Sequence, residues 1–307
     1  MADVYDVVII GGGTAGLSAG LYAARWRMKA VLLEKMAPGG QIINADVIEN
    51  FPGFPKGITG VELVSALEEQ ATGAGLEYAF GEVAGLDAGK KPLVVRTHDG
   101  AFQTRSVIIA VGSEHARLGV PGEQEHEGRG VSYCATCDGS FFQGKEIAVV
   151  GGGDAALDEG LYLTKHCSKV TVVHHKDRLT GQAILQERAR QDPKMQFVWD
   201  TVVEAISGGG DGVNAVALRN LKTEEKRQLG VSGVFVYIGT VPATRPFAGV
   251  VPMDGGGHVK VDLRMATEVP GVFAAGDCRW QSARQLANCA GDGVQAAFSA
   301  YEYVQGL

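Results

Sequence analysis

Twice in this chain a short run of apolar, mostly β-branched residues ends in three consecutive glycines and passes into a helix-forming segment. Val7-Val8-Ile9-Ile10 leads into Gly11-Gly12-Gly13-Thr14-Ala15-Gly16, and Ile147-Ala148-Val149-Val150 leads into Gly151-Gly152-Gly153-Asp154-Ala155-Ala156. The first spacing is G-x-G-x-x-G and the second is its variant ending in Ala. In such a turn the first glycine allows a tight reversal and the second lets backbone N–H groups close on a diphosphate. The third small residue lets the helix lie against its strand. One such motif is weak, but two in strand–turn–helix context commit the chain to two β-α-β units with parallel strands.

The surrounding pattern agrees. A strand over Tyr5–Ile10, a helix over Ala15–Trp26 and a strand over Ala30–Glu34 make the first unit. Strands over Glu146–Val150 and Val170–Val173 flank a helix over Leu157–Thr164 in the second. The fold class is α/β, with two Rossmann-like, three-layer ββα domains. Two Gly/Pro-containing stretches, Gly112–Pro121 and Gly239–Pro246, follow strands and lack helical or strand periodicity, so they read as a two-stranded hinge. The segment 118–244 is then inserted into a domain built from 1–117 and 245–307. Gly208–Gly212 and Asp254–Gly257 read as hairpin or loop tips.

Composition narrows the function classes. Glycine supplies 44 of 307 residues, about twice ordinary usage, as repeated nucleotide-binding turns require. A net charge of −7 with no basic patch argues against a nucleic-acid partner. No apolar run approaches the ~18 residues of a membrane helix, and the acidic start has no signal-peptide character. A cytoplasmic location is the expectation. Five cysteines with one close pair do not make a secreted disulfide framework.

That pair is Cys134-Ala135-Thr136-Cys137, followed by Asp138. Four readings are open: a cycling dithiol, a zinc site, a structural disulfide and two inert thiols. Zinc needs four ligands, yet Cys167, Cys278 and Cys289 are scattered singly and read as small buried residues. His98, His115, His126, His166 and His258 show no ligand spacing. Asp138 is either a proton-managing carboxylate or a turn residue before Gly139. Glu34, 23 residues after Gly11 at a strand end, is placed to accept from ribose hydroxyls. The corresponding position after Gly151 is His174, followed by His175 and Lys176. A site without the acid but with basic groups favours a 2′-phosphate and hence NADP; the alternative is a solvated strand end.

Over essentially its whole length the chain resembles low-molecular-weight, bacterial-type thioredoxin reductases, of the pyridine nucleotide-disulfide oxidoreductase family. The resemblance is carried by Gly11–Gly16, Gly39-Gly40-Gln41, Glu49-Asn50-Phe51-Pro52-Gly53, Ile108–Gly112 and Gly128–Ser132. It continues in the C-A-T-C-D-G box, Gly151–Asp154, Gly271–Asp277 and Arg284-Gln285. The resemblance implies FAD on Gly11, Gly13, Thr14, Ala15, Gly16, Glu34, Lys35, Gly40, Gln41, Asn50, Gly112, Gly276, Asp277, Arg284, Gln285 and Leu286. It implies NADPH as donor on Gly151, Gly153, Asp154, Ala155, Ala156, His174, His175, Lys176 and Thr180. Cys137 is then the thiol nearer the flavin, Cys134 the one that attacks thioredoxin disulfide, and Asp138 the acid. It further implies a thioredoxin-like partner, a homodimer, no metal, and alternation of dithiol and nicotinamide at the flavin by reorientation of the inserted domain.

One departure stands out. The family pattern H-R-R-x-x-x-R here reads His174-His175-Lys176, with Thr180 at the last arginine position. Arginine offers phosphate a two-pronged fork, whereas lysine is a point charge and histidine is mostly neutral at pH 7. Val111 stands where the family has threonine. Competing expectations are the reductase of a peroxide-reducing system, a ferredoxin- or flavin-fed relative, and a non-catalytic flavin/dithiol sensor. The first of these usually has an extra N-terminal domain, and here the fingerprint begins at residue 11. The intact second fingerprint speaks against the ferredoxin-fed relative.

Overall fold

The computed structural model describes residues 4–306. The chain packs as two compact units, 1–114 with 241–307, and 115–240. The first stretch opens with β1 (Val4–Ile10), α1 (Thr14–Arg25) and β2 (Ala30–Glu34), then α2 (Gly60–Gly73) and β3 (Glu77–Phe80). A meander of β4 (Val83–Asp87), β5 (Leu93–Thr97) and β6 (Ala101–Ile109) follows, and β7 (Ser113–His115) ends it. The sheet order is β3-β2-β1-β6-β5-β4. β1, β2, β3 and β6 run parallel, while β4, β5 and β6 are antiparallel. Strand alternation splits the apolar run of β1 between two cores. Val7 and Ile9 face the helices with Leu17, Ala19 and Ala297, and Val8 and Ile10 face the meander side with Leu86, Leu93 and Val95. A strand segment covered on both faces must be apolar throughout, and Val7–Ile10, the buried half of β1, is.

The second unit repeats the plan. β8 (Val131–Ser132), α3 (Ala135–Asp138), β9 (Glu146–Val150), α4 (Asp154–Thr164), β10 (Lys169–Val173), α5 (Ala183–Gln191) and β11 (Met195–Val198) come first. β12 (Thr201–Gly209), β13 (Gly212–Asn220) and β14 (Lys226–Gly230) form a separate antiparallel sheet, and β15 (Gly233–Val236) rejoins the parallel one. The parallel order is β11-β10-β9-β15-β8. Ile147 and Val149 pack on α4 with Leu157 and Leu163, while Ala148 and Val150 pack on Val203, Ile206 and Val216 of the antiparallel sheet. The expected Gly208–Gly212 tip is the turn between β12 and β13.

The chain then returns through β16 (Thr240–Pro242), β17 (Val272–Ala274) and α6 (Leu286–Gln305). β17 lies parallel to the second half of β6, whose first half pairs with β5. The Gly/Pro stretches, read from their lack of periodicity as a two-stranded hinge, each contain a three-residue strand: β7 and β16 pair as a small ribbon. Strands this short carry no readable periodicity, so their pairing shows only in three dimensions. α6 crosses α1 closely, because a Cβ on Gly293 would lie 2.1 Å from the carbonyl oxygen of Ala15. Any side chain there would push the helices apart.

Candidate functional site

Each unit has its own candidate site, built on its glycine turn. In the first, Gly11 adopts φ +102°, and a Cβ on Gly16 would fall 1.8 Å from the Gly11 carbonyl oxygen. Both glycines are therefore required by the backbone itself. Gly13 precedes α1 with no side-chain cap, and the space around its missing Cβ is open. The first N–H groups of α1 thus face open space beside Gly13, an arrangement suited to a diphosphate. Thr14, 5% exposed, has no partner for its Oγ1 among the described residues. Buried hydroxyls are rarely left so, and a bound phosphate group would satisfy it.

Of the remaining predicted residues, Glu34, Gly40 and Gly276 adjoin the turn. Gly40 has φ +58°, and its Cβ position lies 3.4 Å from the Gly13 Cα. Gln41 Nε2 donates to the Ser113 carbonyl at 2.7 Å, and Asn50 Nδ2 donates to Gln285 Oε1 at 3.2 Å. Gly112 adopts φ +63° with open space where a Cβ would stand. Gly276 presses on Ala15, and Asp277 Oδ1 receives the Cys289 thiol at 3.2 Å and Ser282 Oγ at 3.4 Å. Gln285 precedes α6 without a side-chain cap, and Leu286 is its first residue. Glu34 is engaged with the backbone: Oε2 accepts from Gly12 N–H at 2.7 Å, and Oε1 from Lys35 and Met36 N–H at 2.8 and 3.1 Å. The carboxylate holds the turn as well as facing it. Two side chains are directed elsewhere. Arg284 Nη2 meets His258 Nε2 at 3.2 Å, and Lys35 lies 4.0 Å from exposed Glu114.

In the second unit Cys134 and Cys137 are joined as a disulfide, with Cα atoms 5.3 Å apart. Of the four open readings this is a bonded pair, and among the described residues no metal-holding group of His, Cys, Asp or Glu occurs. Cys134 caps α3, its Sγ accepting from Cys137 N–H at 3.2 Å. Cys137 is exposed and Cys134 half-buried. Ala135 N–H donates to Glu159 Oε2 at 3.1 Å, and Tyr237 OH meets the same oxygen at 3.4 Å, tying the dithiol turn to α4 and to the residue that follows β15. Asp138 N–H donates to the Cys134 carbonyl at 3.2 Å. Cys167, Cys278 and Cys289 are free and buried, as expected. Burial pushes the Cys278 thiol up to about 12, and burial with the Asp277 charge raises that of Cys289.

The second glycine turn is uncapped at Gly153. Here the loop after β10 folds back over it. Thr180 and Gly181 N–H both donate to the Gly152 carbonyl, at 2.8 and 3.2 Å, as does Thr180 Oγ1 at 3.2 Å. Asp154 Oδ1 accepts from Gln182 N–H at 2.6 Å. His174 is 3% exposed, its ring 2.6 Å from where a Gly152 Cβ would stand, with both ring nitrogens unpartnered among the described residues. Burial, then the charges of His175 and Lys176, hold its pKa below the ordinary value. Its ring packs beneath the turn while His175, Lys176 and Thr180 stand at the surface. Asp177 lies 3.6 Å from Lys222, which also reaches Asp200 at 3.0 Å. Sequence reasoning passed over Arg178, an exposed guanidinium in the same loop; its proximity to the missing arginines was the available signal. It also passed over Asp292 of α6, a carboxylate on an otherwise apolar, small-residue helix face.

A sequence model of the pyridine nucleotide-disulphide oxidoreductase family matches residues 5–293. The chain is 45% identical to the thioredoxin reductase of Bacillus subtilis over 99% of its own length and 96% of that relative. It is 44% identical to that of Listeria innocua, over 99% and 95%. The crystal structure of Lactococcus lactis thioredoxin reductase superposes with a TM-score of 0.97 at 44% identity, covering 99% of this chain and all of that one.

Proposed function

The chain belongs to the pyridine nucleotide-disulphide oxidoreductase family, and from that premise we propose that it is a thioredoxin-disulfide reductase. The reaction is NADPH + H⁺ + thioredoxin disulfide → NADP⁺ + thioredoxin dithiol. The observation that carries it is the Cys134–Cys137 disulfide, set in a unit with its own dinucleotide turn, on a chain with a second such turn.

The first unit fits FAD: the uncapped α1 terminus and the unpartnered Thr14 hydroxyl suit the diphosphate, and Glu34 and Asp277 offer carboxylates to sugar hydroxyls. The second fits a nicotinamide dinucleotide at Gly151, Gly153, Asp154, Ala155 and Ala156. His175, Lys176, Thr180 and Arg178 line the loop for a 2′-phosphate, and His174 packs beneath it. When bound, the flavin supplies two-electron exchange between nicotinamide and disulfide. The reduced pair then acts on the partner. The Cys134 thiolate attacks one sulfur of the thioredoxin disulfide, and the other leaves as a thiolate. Cys137 attacks Cys134 Sγ, restoring the Cys134–Cys137 bond and releasing the second thiolate. Asp138, next to Cys137, gives and takes the protons.

Cys134 is the attacking thiol by resemblance, although the oxidised pair exposes Cys137 more, so the assignment has its own test. Cys134→Ser and Cys137→Ser should each abolish NADPH-dependent thioredoxin reduction while NADPH still bleaches the flavin. Only Cys137→Ser should accumulate a mixed disulfide with thioredoxin. Wild-type turnover by Cys134→Ser would end this reading. Among the described residues no helix is long and apolar enough to cross a membrane. Homodimerisation is part of the proposal and is read from sedimentation velocity.

A further inference from the structure

We propose that Asp292 is a positioning residue for the flavin site, acting through Gly276 and Arg279 on the placement of the Asp277 carboxylate. The inference rests on the reading of the first unit as the flavin unit.

Asp292 is 7% exposed, yet it is ringed by donors. Its Oδ2 accepts from Gly276 N–H at 3.1 Å, Arg279 Nε at 2.7 Å and Asn288 Nδ2 at 3.0 Å, and its Oδ1 from Arg279 Nη2 at 2.9 Å. The guanidinium grips both oxygens, which sets its direction as well as its distance. These contacts close around one turn. Gly276 adopts φ +79°, and a Cβ there would lie 3.0 Å from that of Ala15 in the first fingerprint. On its other side, Ala275 N–H donates to the Ile109 carbonyl at 2.9 Å. The turn that presents Asp277 is therefore held by a strand end, by α1 and by α6, and Asp292 is the charged member of that set.

The same helix reaches Asp277 directly. Cys289, three residues before Asp292 and so on the same face, donates its thiol to Asp277 Oδ1. Burial and the neighbouring charge keep that thiol protonated, so it remains a donor. Both this contact and that of Ser282 fall on Oδ1, so one carboxylate oxygen is fixed from α6 and from the loop before it. Gly293, adjacent to Asp292, lets α6 approach the Ala15 backbone. One segment of α6 thus sets the distance to the fingerprint, the turn and the carboxylate together.

A buried ion pair of this kind contributes little net stability, because desolvation offsets the attraction, and well-packed apolar residues serve the fold as well. What an apolar pair lacks is direction. Replacing the pair should therefore loosen the cofactor while leaving the fold intact.

The test compares wild-type holoenzyme with Asp292→Asn and with the double substitution Arg279→Met/Asp292→Leu, which leaves no buried charge unpaired. The readouts are the FAD dissociation constant, from the fluorescence gained on dilution, the visible spectrum of the bound flavin, and far-UV circular dichroism. The double variant should keep the wild-type dichroism, bind FAD at least about tenfold more weakly, the size of one charge-assisted hydrogen bond, and shift the flavin band. Asp292→Asn should weaken FAD in the same direction. A folded double variant within about twofold of the wild-type constant, with an unchanged spectrum, overturns the proposal. So does a double variant that cannot fold, since the pair would then be holding the domain together. A wild-type protein that binds no FAD removes instead the flavin reading itself.

Discussion

Replacing His175 and Lys176 together by arginine should tighten NADPH and leave NADH nearly unchanged. Both side chains are exposed at the end of β10, beside the loop that covers the second glycine turn. Arginine at 175 adds a permanent charge and a fork, and at 176 it adds the fork alone. Exposure keeps each new phosphate contact near the low end of charge-assisted bonds, about 1–1.5 kcal/mol. With the charge at 176 already present, the two together amount to roughly 1.5–2 kcal/mol, or about 10- to 30-fold in affinity. Thr180→Arg is the weaker experiment. It removes the Thr180 Oγ1 bond to the Gly152 carbonyl, at about 0.5–1.5 kcal/mol, and so offsets much of its own gain. Isothermal titration of NADP⁺ and NAD⁺ against wild type and double variant gives both constants, and the gain for NADP⁺ should shrink with added salt. In the converse experiment Arg178→Ala should weaken NADP⁺ alone. If the double variant improves both nucleotides alike, or neither, these positions are a solvated strand end that does not face the 2′-phosphate.

The native reduced protein should show two fast-reacting thiols with a disulfide reagent, Cys134 and Cys137. The other three should appear only on unfolding, because they are buried and their thiolates disfavoured; a third fast thiol in the native protein would contradict this. His115 and His174 are both held below their ordinary pKa by burial, so the unfolded chain takes up their protons first. Stability is therefore lost as pH falls through about 6.5. His115→Phe, which keeps the ring against Tyr133, should narrow the gap between urea midpoints at neutral and acidic pH; an unchanged gap rejects the assignment. Gly293→Ala should destabilise the protein by about 1–3 kcal/mol, since the new Cβ meets the Ala15 carbonyl oxygen, and a thermal midpoint equal to wild type would refute that close approach.

The two fingerprints and their strands were legible in the sequence because their requirements are local. A Cβ at Gly16 meets the oxygen of Gly11, five residues away, so the glycine spacing records the turn directly. The buried strands announce themselves as continuous apolar runs, and Cys134 and Cys137 are close enough in sequence for their pairing to be read as one motif. Partners distant in sequence were not legible. Glu34 was legible as a carboxylate at a strand end, but only the folded chain shows its Oε2 also accepting from Gly12 N–H, 22 residues away. His174 looked like one of three surface basic groups, and the fold buries its ring under Gly152. The ribbon of β7 with β16 joins segments too short to carry a periodic signal, and the grip of Asp292 on Arg279 and Gly276 joins a helix to a loop 13 and 16 residues away. Local sterics and alternation are written into short stretches of sequence, whereas the direction of a buried charge is decided by every segment packed around it.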